Sequence, residues 1–213
     1  MANINISNLY SRGWAASNSW SYDITIPDGN EPSQIIVVLY AKYIDFTGDV
    51  VTVGGNATTS YTSNSGTAHI GVFVCNVSLP AGTYAVAASG MGTTYGHGAW
   101  VYSFYPARGI NGLIVADQPS TPYTASPNLV AGYIWFEVTQ GNVAYASASS
   151  SQTTLNSNSS SYFTRSFYKQ DNGAGQVNFT HSNTSSNLRC YIGLEVTPIP
   201  SDFIDTVGSS WFI

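Results

Sequence analysis

Apolar and polar positions alternate, or run together for a few residues, along nearly the whole chain, with Gly, Pro, Asn and Ser interrupting them at short intervals. In the first half the clearest runs are 22–26, 34–43, 50–53, 68–77, 83–88 and 99–105. The second half has 112–116, 129–138, 143–146, 162–168, 176–180 and 189–196. Such short runs mark strands, and no window keeps a capped apolar period of 3.6 residues. Breakers fall where sheet turns need them, at Pro27-Asp28-Gly29-Asn30, Gly54-Gly55-Asn56, Pro80-Ala81-Gly82 and Asp171-Asn172-Gly173. About a dozen strands at this spacing predict an all-β, antiparallel β-sandwich of jelly-roll-like type.

Several short motifs recur at one common spacing. Gly48-Asp49-Val50-Val51-Thr52-Val53 matches Gly141-Asn142-Val143-Ala144-Tyr145-Ala146, Tyr40 matches Tyr133, Ala81-Gly82 matches Ala174-Gly175, and Ser89 matches Ser182. One residue out of step, Tyr105-Pro106 meets Thr197-Pro198. The pattern predicts two pseudo-repeated halves, about 34–106 and 127–198, each giving strands to one sandwich. Two tandem small β-domains are the competing arrangement. One domain is preferred because the connecting segment 107–126 still carries the apolar run Leu113-Ile114-Val115.

Around that sandwich, assigned to 20–197, lie two flanks. Residues 1–19, with Leu9, Tyr10 and Trp14, form an N-terminal segment and candidate anchor. Residues 198–213 form an aromatic tail whose Phe203, Ile204, Val207, Trp211, Phe212 and Ile213 no longer fit a strand pattern. Left in water they would be adhesive, so the tail either folds back on its own domain or docks on a neighbour. Segment 147–161, mostly Ser with Thr, Asn and Gln, has too little apolar content to pack and is expected as a long exposed loop.

Composition reinforces the β assignment. The chain has 213 residues, of which 43% are hydrophobic and 14% aromatic, and only 8% are charged, against roughly 25% in an average soluble domain. Its polar surface must therefore come from Ser, Thr, Asn and Gly, which strands tolerate better than exposed helices do. Net charge is −5, and the six basic residues, Arg12, Lys42, Arg108, Arg165, Lys169 and Arg189, are scattered. Nucleic-acid binding needs clustered cations and is not expected. A membrane partner is not expected either, because basic clusters are lacking and no apolar run is long enough to span a bilayer. The first residues show no basic region followed by an apolar core, which predicts cytosolic synthesis. Cys75 and Cys190 lie in strand-like runs and read as two buried thiols in preference to a disulfide.

A search for chemistry finds little. His69 and His181 fall in or at the end of strand patterns, and His97 in Gly96-His97-Gly98 reads as a turn entering a strand. Zinc-ligand spacing is absent from the sequence. Asp45 and Asp49 could share a calcium ion, but two carboxylates suit a turn better. Gly90-Met91-Gly92 followed by Gly96 has neither the lysine nor the helix of a phosphate loop. No nucleophile elbow is present. The expectation is a protein that is not an enzyme and has no cofactor. Sugars stack on aromatic faces, so the five tryptophans and fifteen tyrosines keep surface glycans open as partners. Asn-x-Ser/Thr sites at Asn5, Asn56, Asn76, Asn158, Asn178 and Asn183 matter only in a glycosylating pathway.

Two stretches carry a family resemblance. Val51-Thr52-Val53-Gly54-Gly55-Asn56-Ala57-Thr58, followed by Val77-Ser78-Leu79-Pro80-Ala81-Gly82-Thr83-Tyr84-Ala85-Val86, resembles a strand, Gly-Gly turn and strand entry. The module in question is a β-sandwich of phage virion proteins and bacterial surface proteins. Ala174-Gly175-Gln176-Val177-Asn178-Phe179 and Cys190-Tyr191-Ile192-Gly193-Leu194-Glu195-Val196 resemble its closing hairpin. The resemblance covers roughly 20–197 and implies an architecture and a structural setting, not a reaction. With the low charge and the aromatic tail, it leads to the expectation of a virion structural protein. That protein would be a capsid decoration, cement or fibre-type subunit, with other virion proteins and copies of itself as partners. A secreted carbohydrate-binding adhesin or extracellular filament subunit is the alternative.

Overall fold

The computed structural model describes residues 4–30, 32–91, 96–117, 123–141, 152–158, 163–170, 175–181 and 188–200. Its first half contains β1 (Asn5–Ala15), β2 (Ser19–Ile26), β3 (Gln34–Lys42), β4 (Val50–Val53), β5 (Asn56–Ser65), β6 (Ala68–Cys75), β7 (Gly82–Ser89) and β8 (His97–Tyr105). After a cis Tyr105-Pro106 bond, the second half contains β9 (Ala107–Asp117), β10 (Tyr123–Ala125), β11 (Asn128–Leu129), β12 (Ile134–Gly141) and β13 (Thr153–Asn158). It ends with β14 (Phe163–Gln170), β15 (Gly175–Gln176), β16 (Phe179–His181) and β17 (Leu188–Pro198). Every strand pairing among the described residues is antiparallel, and the all-β sandwich expectation holds.

The strand order in the first half is β1-β8-β3-β6-β5-β4-β7-β2. Folded at the β5–β6 hairpin, this gives one layer of β1-β8-β3-β6 and another of β2-β7-β4-β5, the strand order of a jelly roll. The hairpin between β4 and β5 illustrates the local cause. Val53 pairs with Asn56 across Gly54-Gly55, and both glycines have positive φ, 57° and 78°, as a two-residue turn matched to strand twist requires.

The second half repeats the plan. Its five-stranded sheet runs β13-β14-β12-β17-β9, the counterpart of β5-β6-β3-β8-β1. The small β10–β16 pair stands where β2–β7 stands in the first half, and β11–β15 replaces the single Ser33–Leu79 bridge. The expected run 143–146 lies outside the described residues.

The two jelly rolls stack through their first layers. Ile36, Val38, Ile70, Val72 and Phe104 from one half meet Ile134, Phe136, Val138, Ile192 and Leu194 from the other in a single apolar cluster. The opposite faces of the same first-half strands, with Ile35, Val37, Leu39 and Val101, close the interior of the first jelly roll. Strands β3, β6, β8 and β12 are therefore covered on both faces and buried along nearly their whole length. This explains why they read as continuous apolar runs instead of alternating ones.

The stack also has the reciprocity of a twofold interface. Trp14 of β1 donates to Asn158 Oδ1 of β13 at 3.2 Å. At the other margin, β5 meets β9, where Ser63 Oγ donates to the Ala116 carbonyl and the Asn64 N–H to Asp117 Oδ1, both at 2.8 Å. Since β13 and β9 are the counterparts of β5 and β1, the same pair of surfaces meets twice, as at an isologous contact.

Several sequence expectations need correction. Residues 1–19 are not a segment apart, because Asn5–Ala15 forms β1 and completes the first sheet. Residues 107–126 are not a linker, since Ala107–Asp117 forms edge strand β9. Within 147–161, Thr153–Asn158 is a strand paired with β14, not a loop. Polar residues serve there because the strand is an edge whose amides work across the stack: Asn156 Nδ2 donates to the Tyr102 hydroxyl at 2.8 Å, and Asn158 Nδ2 to that of Tyr40 at 3.0 Å. Burial pushes the Tyr40 hydroxyl up to about 12, so it stays a neutral linker. The repeat is real in topology, but its spacing drifts. Tyr105 ends β8 and Thr197 is one residue short of the end of the equivalent β17, whereas Tyr40 is inside β3 and Tyr133 precedes β12.

Candidate functional site

The interiors of the two jelly rolls differ in chemistry. The first is mainly apolar, with His97 and Ser103 as buried polar residues opposite Ala41 and Ile35. The second holds a small apolar cluster of Ala125, Leu129, Trp135, Phe179 and Tyr191, together with buried Glu137, Glu195 and His181.

Glu137, in the middle of β12, has no exposed surface. Its Oε2 accepts from the Tyr191 hydroxyl at 2.8 Å and from Trp135 Nε1 at 3.2 Å. Its Oε1 accepts from Gln152 Nε2 at 2.6 Å. His181 Nε2 stands 3.1 Å from the same Oε1, although not in hydrogen-bonding alignment, so that contact is one of proximity and not a directed bond. Gly193, directly across from Glu137, makes this convergence possible. A Cβ there would fall 2.2 Å from Trp135 Cζ2 and 2.7 Å from the Tyr191 hydroxyl. Burial first, and then the charge of Glu137, raise the Tyr191 hydroxyl well above its ordinary range, which keeps it a donor. With Glu137, Tyr191 and His181 all sealed from solvent, the network orients strands and cannot meet a substrate in this conformation.

Glu195 on β17 is nearly as buried but lines a groove. Its Oε1 accepts the Val130 N–H and its Oε2 accepts Asn111 Nδ2, both at 2.8 Å. The groove, about 180 Å³, runs between edge strand β9 and the turn at Pro127 and Asn128, with Gly112, Leu113, Ile114 and Trp135 as walls. Gly112 pairs with Glu195, so no β9 side chain lies over the carboxylate at that position.

The residues singled out in the sequence fall elsewhere. Phe203, Ile204, Val207, Trp211, Phe212 and Ile213 lie outside the described residues. Trp20, Trp100 and Trp135 are core residues. Cys75 and Cys190 are free and buried, one inside the first jelly roll and the other in the stack. His69 bonds Asn64 at 3.0 Å. Among the described residues, no three of His, Cys, Asp and Glu gather as a metal-binding group. Asp45 is a turn residue, accepting from the Thr47 N–H at 2.8 Å and from Asn64 Nδ2 at 2.9 Å. The sequence reading missed Glu137 and Glu195. The available signal was an acid inside each of two otherwise apolar runs, Ile134–Val138 and Tyr191–Val196, since a carboxylate there must be paired or line a cleft.

Two titrating groups oppose each other. Desolvation, aided by the charge of Asp45, raises Asp49 from 3.8 to about 6. Folded protein thus holds that proton more tightly than unfolded chain, and folding weakens as pH rises from about 4 to 6. Desolvation and the nearby Arg12 charge lower His97 from 6.5 to about 4, so its contribution is lost as pH falls through the same window. Asp49→Asn should therefore stabilise the protein by about 1 kcal/mol at pH 7, a value reduced for the partial exposure of the carboxylate. The gain should vanish near pH 4 and leave a steeper acid loss. Urea unfolding at the two pH values checks this, and an equal effect at both would contradict it.

Comparison with family models, with curated proteins and with solved structures finds no match for this chain. The fold itself defines the class: an all-β protein of two stacked jelly rolls.

Proposed function

We propose that this chain is a non-enzymatic structural subunit of a virus particle, a capsid decoration, cement or fibre-type surface protein that assembles with other virion proteins and with copies of itself. The observation that carries this reading is the stack of two jelly rolls joined by a large apolar face, a rigid block whose outward positions are mostly Ser, Thr, Asn and Gly. Jelly rolls recur in capsid and lectin domains, so the step from block to particle is one of fold-level analogy. Weak contacts suffice for such a subunit, because a symmetric particle multiplies them. Density-gradient fractionation of the native source, read by mass spectrometry, tests the proposal. The chain should band with particles in fixed stoichiometry. Recovery only in particle-free fractions would reject it.

An extracellular glycan-binding role has one specific observation in its favour. Tyr22, 47% exposed, stacks on Tyr10 with ring centroids 4.0 Å apart, beside a shallow depression lined by Ser21, Tyr22 and Asp23. Specific retention on a glycan array, lost in Tyr22→Ala, would move the assignment to an adhesin.

A further inference from the structure

We propose that the groove beneath β9 receives a basic side chain, arginine or lysine, carried on an extended segment of a partner protein. This rests on the reading of the chain as an assembling subunit and specifies the chemistry of what it assembles with.

Three features of the groove converge on that ligand. The first is charge. Glu195 is held by two neutral donors, the Val130 N–H and the Asn111 amide, which fix its direction without supplying a positive charge. Among the described residues, no cation lies within ion-pair distance of it. A buried carboxylate gains most from a charge-assisted partner.

The second feature is the shape of the walls. Ile114, Pro127 and Trp135 suit the methylene stem of a long cationic side chain. The Trp135 N–H is committed to Glu137 and Tyr191, so the indole adds apolar wall to the groove and no free donor.

The third is the backbone beside the groove. Among the described strands, β9 is the edge of its sheet, and an edge offers amides and carbonyls to an added strand. Leu113 and Val115 are 43% and 40% exposed along it. Both face the same way as Leu194 and Ile192, their partners in β17, and so continue the apolar face of the stack beyond its covered part. A sugar or a neutral peptide would leave the Glu195 charge unanswered.

The test uses the full chain and a capped pentapeptide with arginine between two valines, titrated while backbone amide and indole resonances are followed. Saturable shifts should centre on Gly112, Ile114, Asn128, Val130 and the Trp135 indole. The same peptide with citrulline for arginine should bind about tenfold more weakly, and so should the arginine peptide to Glu195→Gln. Should Glu195→Gln fail to fold, Gly112→Ala replaces it. Its Cβ would stand 3.3 Å from Glu195 Cβ and 3.5 Å from Oε2, closing the groove while keeping the charge, and it should also abolish the shifts. No saturable shift at about 1 mM peptide, equal binding of the citrulline peptide, or unchanged binding in Gly112→Ala overturns the proposal. Gradient banding with particles is a separate result, so a failed groove and a failed particle assignment can be told apart.

Discussion

Glu137→Ala should destabilise the protein by about 2–6 kcal/mol, the sum of about 1–3 kcal/mol for each of the two donors left without an acceptor. The truncation removes the acceptor for the Tyr191 hydroxyl, Trp135 Nε1 and Gln152 Nε2. Trp135 and Tyr191 can still meet each other at 3.3 Å, but the buried Tyr191 proton and the half-buried Gln152 amide lose their acceptor. Each buried, unsatisfied group costs about 1–3 kcal/mol. Glu137→Gln keeps an acceptor oxygen and should lose less, about 1–2 kcal/mol. Urea unfolding of the three proteins at pH 7 decides the matter. A Glu137→Ala midpoint within experimental error of the parent would show that the network does not hold the second jelly roll together. Local consequences should fall on β10 and β16, because they are only three residues long and depend on contacts such as Tyr123 and Phe167 with His181.

Residues 4–106 expressed alone should not give a folded, soluble monomer. Separation from the second half uncovers Ile36, Val38, Ile70, Val72, Trp100 and Phe104. At roughly 1.5–3 kcal/mol for each such side chain, six of them amount to about 9–18 kcal/mol, as large as the whole stability of a typical domain at about 5–15 kcal/mol. The fragment should aggregate or pair with itself through that face. Pairing is the more informative outcome, since the native stack already brings equivalent surfaces together reciprocally. Light scattering after size exclusion, with urea unfolding, reads the result. A monodisperse monomer with a cooperative transition would mean that the stack contributes far less than its apolar area implies.

What could be read from the chain and what could not have distinct physical causes. The all-β class, the antiparallel sandwich and most strand positions follow from local chemistry: β-branched and aromatic runs, few charges, and turn residues such as Gly54-Gly55 that alone satisfy the backbone where it reverses. The strands that escaped the sequence reading, β1, β5, β10 and β13, are mixed or polar, and half-buried at most along much of their length. Their place comes from neighbours reached across the sheet or across the stack, as when Asn156 and Asn158 meet two tyrosines of the other half.

The repeat was visible in outline because both halves obey one topology. Its register was not, because loops of unequal length shift the spacing from strand to strand. The site was the least legible part. Sequence marked Glu137 and Glu195 only as acids inside apolar runs. It took the pairing of β12 with β17 to set Gly193 beside Glu137, and of β17 with β9 to set Gly112 beside Glu195. Local propensity and period-two patterning thus determined which residues form strands and which make turns. Tertiary structure alone decided which faces meet. Burial of both faces of β3, β6, β8 and β12 depends on a second jelly roll that no local window contains, and a carboxylate becomes a paired core group or the floor of a groove only through what packs against it.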